Sequence, residues 1–144
     1  MRDMSKTGPI LIIEDDKEDK EILEDVLRDL GVKNRLVWQE NTKDAYNFLS
    51  EATEAMFIIF CDINLPGKNG LELKMQIDSS PELRKKSIPF IFYSTSANQT
   101  DVNDAYSKMT IQGFFQKGSD YNEMKKTIKL ILEYWTACKH PNLI

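Results

Sequence analysis

The chain has 144 residues, 41% hydrophobic and 29% charged, which suits one globular domain with a real core and leaves too little for two. Its net charge of -4 excludes the basic footprint that nucleic acid or an anionic membrane surface requires. No apolar run approaches the roughly 18 residues of a membrane span, and residues 1–6 lack the apolar core of a signal peptide, so a cytoplasmic location is expected.

In chain order, apolar runs alternate with helical periodicity, which predicts a βα repeat around a parallel sheet. The first strand covers residues 10–13 and ends in three acids, Glu14, Asp15 and Asp16. A helix over about 17–30 follows, with Ile22, Leu23, Val26, Leu27 and Leu30 on one face and Gly31 suited to its stop. A second strand near 35–39 is thin in apolar residues; Trp38 is expected at its outer edge, with no function attached. Asn41 or Thr42 caps the next helix, which turns Ala45, Phe48, Leu49 and Ala52 inward. The third strand, 56–61, is apolar throughout, as a strand buried on both faces must be, and stops abruptly at Asp62.

A third helix begins after the turn of Pro66 to Gly70 and runs to about 77, where Ser79, Ser80 and Pro81 break it. The polar stretch 82–87 leads to a fourth strand at 90–93, a weaker helix over 101–109 and a fifth strand at 113–116. The last helix has capping-box spacing at Asp120 and Glu123, with Met124, Ile128, Ile131, Leu132 and Trp135 recurring at helical intervals up to His140 and Pro141. Tyr121, Tyr134 and Trp135 are candidates for a contact surface, against the plainer reading that Trp135 closes the core. Cys61 and Cys138 lack metal-ligand spacing and read as packing residues, reduced in a cytosolic setting.

The chemistry lies where strands end, because open α/β sheets place ligands at the carboxyl edge. Strand one brings Glu14, Asp15 and Asp16 there, strand three Asp62, strand four Ser94, Thr95 and Ser96, and strand five Lys117. Clustered carboxylates repel one another without a cation, and hard oxygen donors suit Mg²⁺. A lysine offsets part of the charge and binds phosphate. A carboxylate nucleophile, Mg²⁺, a lysine and a hydroxyl together describe phosphoryl transfer to an aspartate. Taken singly, each residue has a plainer role: Asp16 as a helix cap, Asp62 as a turn residue, Lys117 as a solvated charge. Their common edge and their order favour the joint reading.

Four segments, residues 10–16, 62–70, 88–94 and 113–117, carry these groups in an order and spacing that resemble the receiver domain of two-component response regulators over about residues 10–135. The Asp62 turn and the hydrophilic 79–86 segment look most like the stand-alone receivers that partner bacterial phytochromes and other sensor kinases. The resemblance implies a flavodoxin-like (βα)5 three-layer α/β fold with strand order 2-1-3-4-5. It implies one domain across residues 1–144, its core at about 9–138, with no output domain. It implies that Asp62 takes a phosphoryl group from a sensor histidine kinase or a histidine phosphotransfer protein. Mg²⁺ would be held by Asp15 directly, by Glu14 through a water, by Asp62 and by the backbone carbonyl of Asn64. Ser94 and Lys117 would contact the phosphoryl group, and the chain would catalyse only its own phosphorylation and dephosphorylation.

Ser94 and Phe114 match the family's switch pair. Phosphorylation adds about -1.5 to -2 charge, which draws Ser94 and Lys117 inward and biases Phe114 toward the interior. The readout surface is then the fourth helix, fifth strand and fifth helix, for a downstream protein target or a homodimer. The amide of Asn64 and the hydroxyl of Ser96 are expected near the attacking water. One departure is Gly118, where the family follows its lysine with proline; a trans bond is expected, or a cis bond held by strain, in a more mobile loop.

Three other readings fit less well. A phosphatase of the haloacid dehalogenase type needs a second aspartate where Asn64 stands. A flavodoxin-like electron carrier would have its flavin phosphate repelled by Glu14, Asp15 and Asp16. A pseudo-receiver, a binding module that works without phosphorylation, is the main alternative, and Gly118 is the residue that speaks for it.

Overall fold

The computed structural model describes residues 4–141. After a short 3-10 turn at Met4–Thr7, strands and helices alternate: β1 (Ile10–Ile13), α1 (Lys17–Asp29), β2 (Leu36–Gln39), α2 (Thr42–Glu51), β3 (Ile58–Cys61), α3 (Gly70–Ser79), α4 (Pro81–Lys86), β4 (Phe90–Ser94), α5 (Gln99–Lys108), β5 (Gly113–Gln116) and α6 (Tyr121–Ala137). All neighbouring strands pair in parallel, in the order β2-β1-β3-β4-β5. This is the expected flavodoxin-like topology.

Every residue of β1, β3 and β4 is buried, which is why these strands read as continuous apolar runs. Their side chains divide by parity. Leu11, Ile13, Ile59 and Phe92 pack against Leu49 of α2, Leu73 and Ile77 of α3 and Ala105 of α5. Ile10, Ile12, Ile58, Phe60 and Ile91 pack against Leu23, Val26 and Leu27 of α1 and Ile128, Ile131 and Trp135 of α6. Each such side chain contributes about 1.5–3 kcal/mol, so the three central strands hold the sheet's carboxyl edge in place.

Helix starts follow their caps. Asp16, Asn41, Asn98 and Asp120 each accept the amide three residues on. Asn41, not Thr42, is thus the cap of α2. Asn69 and Glu72 close a full capping box at α3 that the sequence reading passed over. At α6 the box is half made, because Glu123 turns to the amide and hydroxyl of Ser119, both at 3.0 Å.

The stretch read as a polar connection is the helix α4. Ser80 caps it, Pro81 opens it, Leu83 alone is buried, and Ser87 ends it in the left-handed region at φ 50°. Six residues are too few to show a period. Trp135 is buried in the core while Tyr134 is exposed, so the plainer reading of Trp135 holds. The Tyr121 hydroxyl donates to Asp29 at 2.5 Å. Both cysteines are free thiols, Cys61 buried and Cys138 half-buried. Among the described residues no helix is long and apolar enough to cross a membrane.

Candidate functional site

The carboxyl ends of β1, β3, β4 and β5 meet at one place. Strand pairing continues one residue past each end: Asp62 N donates to Ile13 O at 3.0 Å, and Lys117 N donates to Ser94 O at 2.9 Å. This backbone lattice sets Glu14, Asp62, Ser94 and Lys117 side by side. Glu14, Asp62 and Ser94 are buried polar residues, Asp62 with 7% of its surface exposed. Ser94 Oγ donates to Asp62 Oδ1 at 2.6 Å, and the Asn64 amide donates to the same oxygen at 3.1 Å. Lys117 Nζ donates to Glu14 Oε1 at 2.5 Å, Asp62 Oδ2 at 3.2 Å and Asp19 Oδ2 at 3.4 Å. The hydroxyl of Ser94 therefore already stands at the acid. Ser96 N donates to Ser94 Oγ at 3.2 Å, and Asn64 Nδ2 donates to Ser96 Oγ at 2.6 Å across the rim.

The two buried acids differ in their electrostatics. Burial would raise the Asp62 carboxyl, but the Ser94 hydroxyl, the Lys117 charge and the Asn64 amide overcome it and hold the group below the ordinary range. Burial pushes Glu14 up to about 7 despite Lys117 beside it. Burial also works against the Lys117 ammonium, yet its bond to Glu14 and the charges of Asp62, Glu14 and Asp19 hold it above an ordinary lysine. Asp62 is the group kept ionised and ringed by donors.

The acids that come together are not quite those expected. Oxygens of Glu14, Asp19 and Asp62 lie within 4.8 Å of one another, a hard-donor set that fits a divalent cation. Asp15 is exposed and stands outside that group. The edge strand explains the difference. Glu14 N donates to Gln39 O at 3.1 Å, and Trp38 Nε1 donates to Glu14 O at 2.7 Å, so β2 holds the Glu14 backbone on both sides. Glu14 is thereby turned inward, and its neighbour Asp15 faces solvent. Asp16 caps α1 through a 3.1 Å bond from Asp19 N, as read. The sequence carries no signal for Asp19, because an acid in a first helical turn has an ordinary reason to be there. The role of Trp38 at the outer edge is equally silent in the sequence, since a hydrogen bond between strands leaves no local signal.

Two glycines shape the turns. A Cβ on Gly70 would overlap the carbonyl oxygen of Asp62, so α3 begins against the aspartate's own peptide. A Cβ on Gly118 would lie 2.7 Å from Glu123 Cβ and 3.2 Å from Met124 N. Glycine after Lys117 thus answers close packing on α6, and the bond between the two residues is trans. Phe114 is half-buried, 5.6 Å from Phe92 between ring centroids, and its amide donates to Tyr106 Oη of α5 at 3.0 Å.

The model of the response regulator receiver domain matches residues 10–129 of this sequence. The chain belongs to the response regulator receiver domain family. As a receiver it is a signalling module of two-component systems, whose partners are histidine kinases or phosphotransfer proteins. It is 28% identical to the response regulator Rcp1 of Synechocystis sp. over 131 residues, covering 88% of this chain and 87% of Rcp1. The solved structure of the phosphorylated cyanobacterial phytochrome response regulator RcpA superposes with a TM-score of 0.82 at 26% identity, covering 93% of this chain and 98% of that one. The Mn²⁺-bound form of Rcp1 superposes with a TM-score of 0.80, also at 26% identity, covering 92% and 98%.

Proposed function

We propose that this receiver accepts a phosphoryl group on Asp62 from the phosphohistidine of a sensor histidine kinase or a histidine phosphotransfer protein, with Mg²⁺ as its cation. One observation carries the reading: Ser94, Lys117 and the Asn64 amide converge on a single buried, ionised carboxylate. Lone-pair attack by an Asp62 oxygen forms the new P–O bond. The P–N bond to the kinase imidazole breaks, its electron pair stays on that nitrogen, and the nitrogen takes up a proton. Ser94 and Lys117 stand ready as donors to the phosphoryl oxygens, and the burial of Asp62, Ser94 and the Lys117 side chain strengthens each contact. Glu14, Asp19 and Asp62 would hold the cation, with Asp15 and the Asn64 carbonyl as the further donors implied by the family. Mg²⁺ held there would offset charge on the phosphoryl oxygens. RcpA in phosphorylated form and Rcp1 with Mn²⁺ support the reading by likeness.

The signal follows from a change of partners. Ser94 ends β4 and Lys117 directly follows β5, bonded to Ser94 through the backbone, so drawing both onto a phosphoryl group pulls on that pair of strands. Phe114 lies three residues before Lys117 on β5, paired with Phe92, and its amide donates to the Tyr106 hydroxyl. The readout face is then α5, β5 and α6, for a downstream protein or a second copy of the chain.

The test is intact mass after incubation with acetyl phosphate. One added phosphoryl group is expected with Mg²⁺ and none with EDTA. No addition under either condition favours a binding module that works without phosphorylation.

The pair Asn64 and Ser96 spans the mouth beside Asp62. Asn64→Ala and Ser96→Ala are expected to change the decay rate of the phosphorylated chain by about tenfold, the scale of one hydrogen bond to the attacking water. Unchanged decay in both variants removes this role.

A further inference from the structure

Lys117 and a divalent cation compete for the same oxygens. The ammonium is bonded to Glu14, Asp62 and Asp19, and these are the residues that fit the cation. Carboxylates committed to a doubly charged ion no longer favour a second cation beside them. The lysine side chain is only 8% exposed, so water is a poor substitute for the lost partners. A buried ammonium must keep a hydrogen-bond acceptor.

One acceptor is at hand. Among the described residues, Tyr93 Oη is the buried side-chain oxygen or nitrogen with no hydrogen-bond partner. Tyr93 is 4% exposed and lines the same small cavity as Glu14, Asp19, Asp62 and Lys117. Its ring already lies under the ammonium, with Lys117 Nζ 5.8 Å from the centroid. Burial raises the phenol to about 12 against the pull of Lys117, so it is neutral at working pH and offers a lone pair. An orphaned buried hydroxyl costs free energy in the fold and calls for a reason. Phenylalanine would fill the same space without that cost.

We propose that the Tyr93 hydroxyl receives the Lys117 ammonium when a divalent cation takes the Glu14, Asp19 and Asp62 carboxylates, which makes Tyr93 a positioning residue of the site. The inference rests on the cation reading given above. It adds a second resting place for Lys117, reached by a short swing over the aromatic ring. From there the ammonium stays beside Asp62, available to an incoming phosphoryl group.

The experiment is a Mn²⁺ binding isotherm on the full chain, with free Mn²⁺ counted by electron paramagnetic resonance. Tyr93→Phe keeps the ring and is expected to melt no lower than the unaltered protein. It should bind Mn²⁺ about tenfold more weakly, the scale of one hydrogen bond to a charged group. In a Lys117→Met background the tyrosine change should make no further difference, because no ammonium is left to receive. Lys117→Gln serves as the second background should the methionine variant not fold. Equal affinity for Tyr93→Phe and the unaltered chain overturns the proposal. So does the same weakening in both backgrounds, which would place the hydroxyl's effect on the acids themselves. An unaltered chain that binds no Mn²⁺ fails the cation reading first and this inference with it.

Discussion

Asp62→Asn is expected to take up no phosphoryl group from acetyl phosphate and Mg²⁺, where the unaltered chain takes up one. The substitution is nearly isosteric. Its amide oxygen can still accept from Ser94 Oγ and from the Asn64 amide, which now bond Asp62 Oδ1. The other end changes sign of interaction: a donating NH2 replaces the oxygen that accepts from Lys117 at 3.2 Å. Lys117 keeps its bond to Glu14 at 2.5 Å, so the buried ammonium is not stranded. The fold should therefore survive, and the loss should be one of chemistry, since an amide has no anionic lone pair to attack phosphorus. Intact mass reads the uptake, and a melting curve confirms that the variant is folded. A phosphoryl group on the folded variant would move the acceptor to another acid and end the assignment of Asp62.

Gly70→Ala is expected to lower stability by about 2 kcal/mol and to slow phosphoryl uptake, although alanine is the better helix former. In an open helix the exchange gains up to about 1 kcal/mol. Here the added Cβ would overlap the Asp62 carbonyl oxygen and lie 3.1 Å from both the Asp62 carbonyl carbon and Ile63 Cα. These are backbone atoms, so no flexible side chain can give way. Overpacking of this kind costs about 1–3 kcal/mol, and the loss outweighs the gain. The helix cannot easily slide off, because Asn69 and Glu72 lock its first turn and Gly70 N donates to Ile63 O at 2.9 Å. The strain falls on the peptide that carries Asp62. Gly67 provides the contrast: it sits at φ 73° with nothing near an added Cβ, so Gly67→Asn, which tolerates that region, should lose much less. Urea midpoints of the two variants decide the matter; a Gly70→Ala midpoint equal to the unaltered chain's would show that the turn relaxes freely.

Much of the fold was legible because β1, β3 and β4 are buried on both faces and must be apolar from end to end. The acid at the end of β3 stood out against that run. The short helix α4 was not legible, since its one buried residue, Leu83, cannot make a period. The steric reason for Gly118 was not legible: the sequence shows it only as a departure from proline, and the close approach of Glu123 and Met124 exists only in the folded chain. Asp19 and Trp38 were missed as parts of the site. Each has an ordinary local reason to occur, and each acts only through a partner brought from another element.

By itself the amino-acid order determined the alternation of strands and helices, the strand ends at which acids, hydroxyl and lysine fall, and so the receiver family. Those features depend on local periodicity and on the rule that strand ends line one edge. Tertiary structure decided which acids face one another. Lys117 meets Glu14 across 103 residues of chain, and β2 turns Glu14 inward and leaves Asp15 outside. Such choices depend on side-chain direction and on distances through space, which are set only when the sheet has closed its pairing and the helices have packed on both faces.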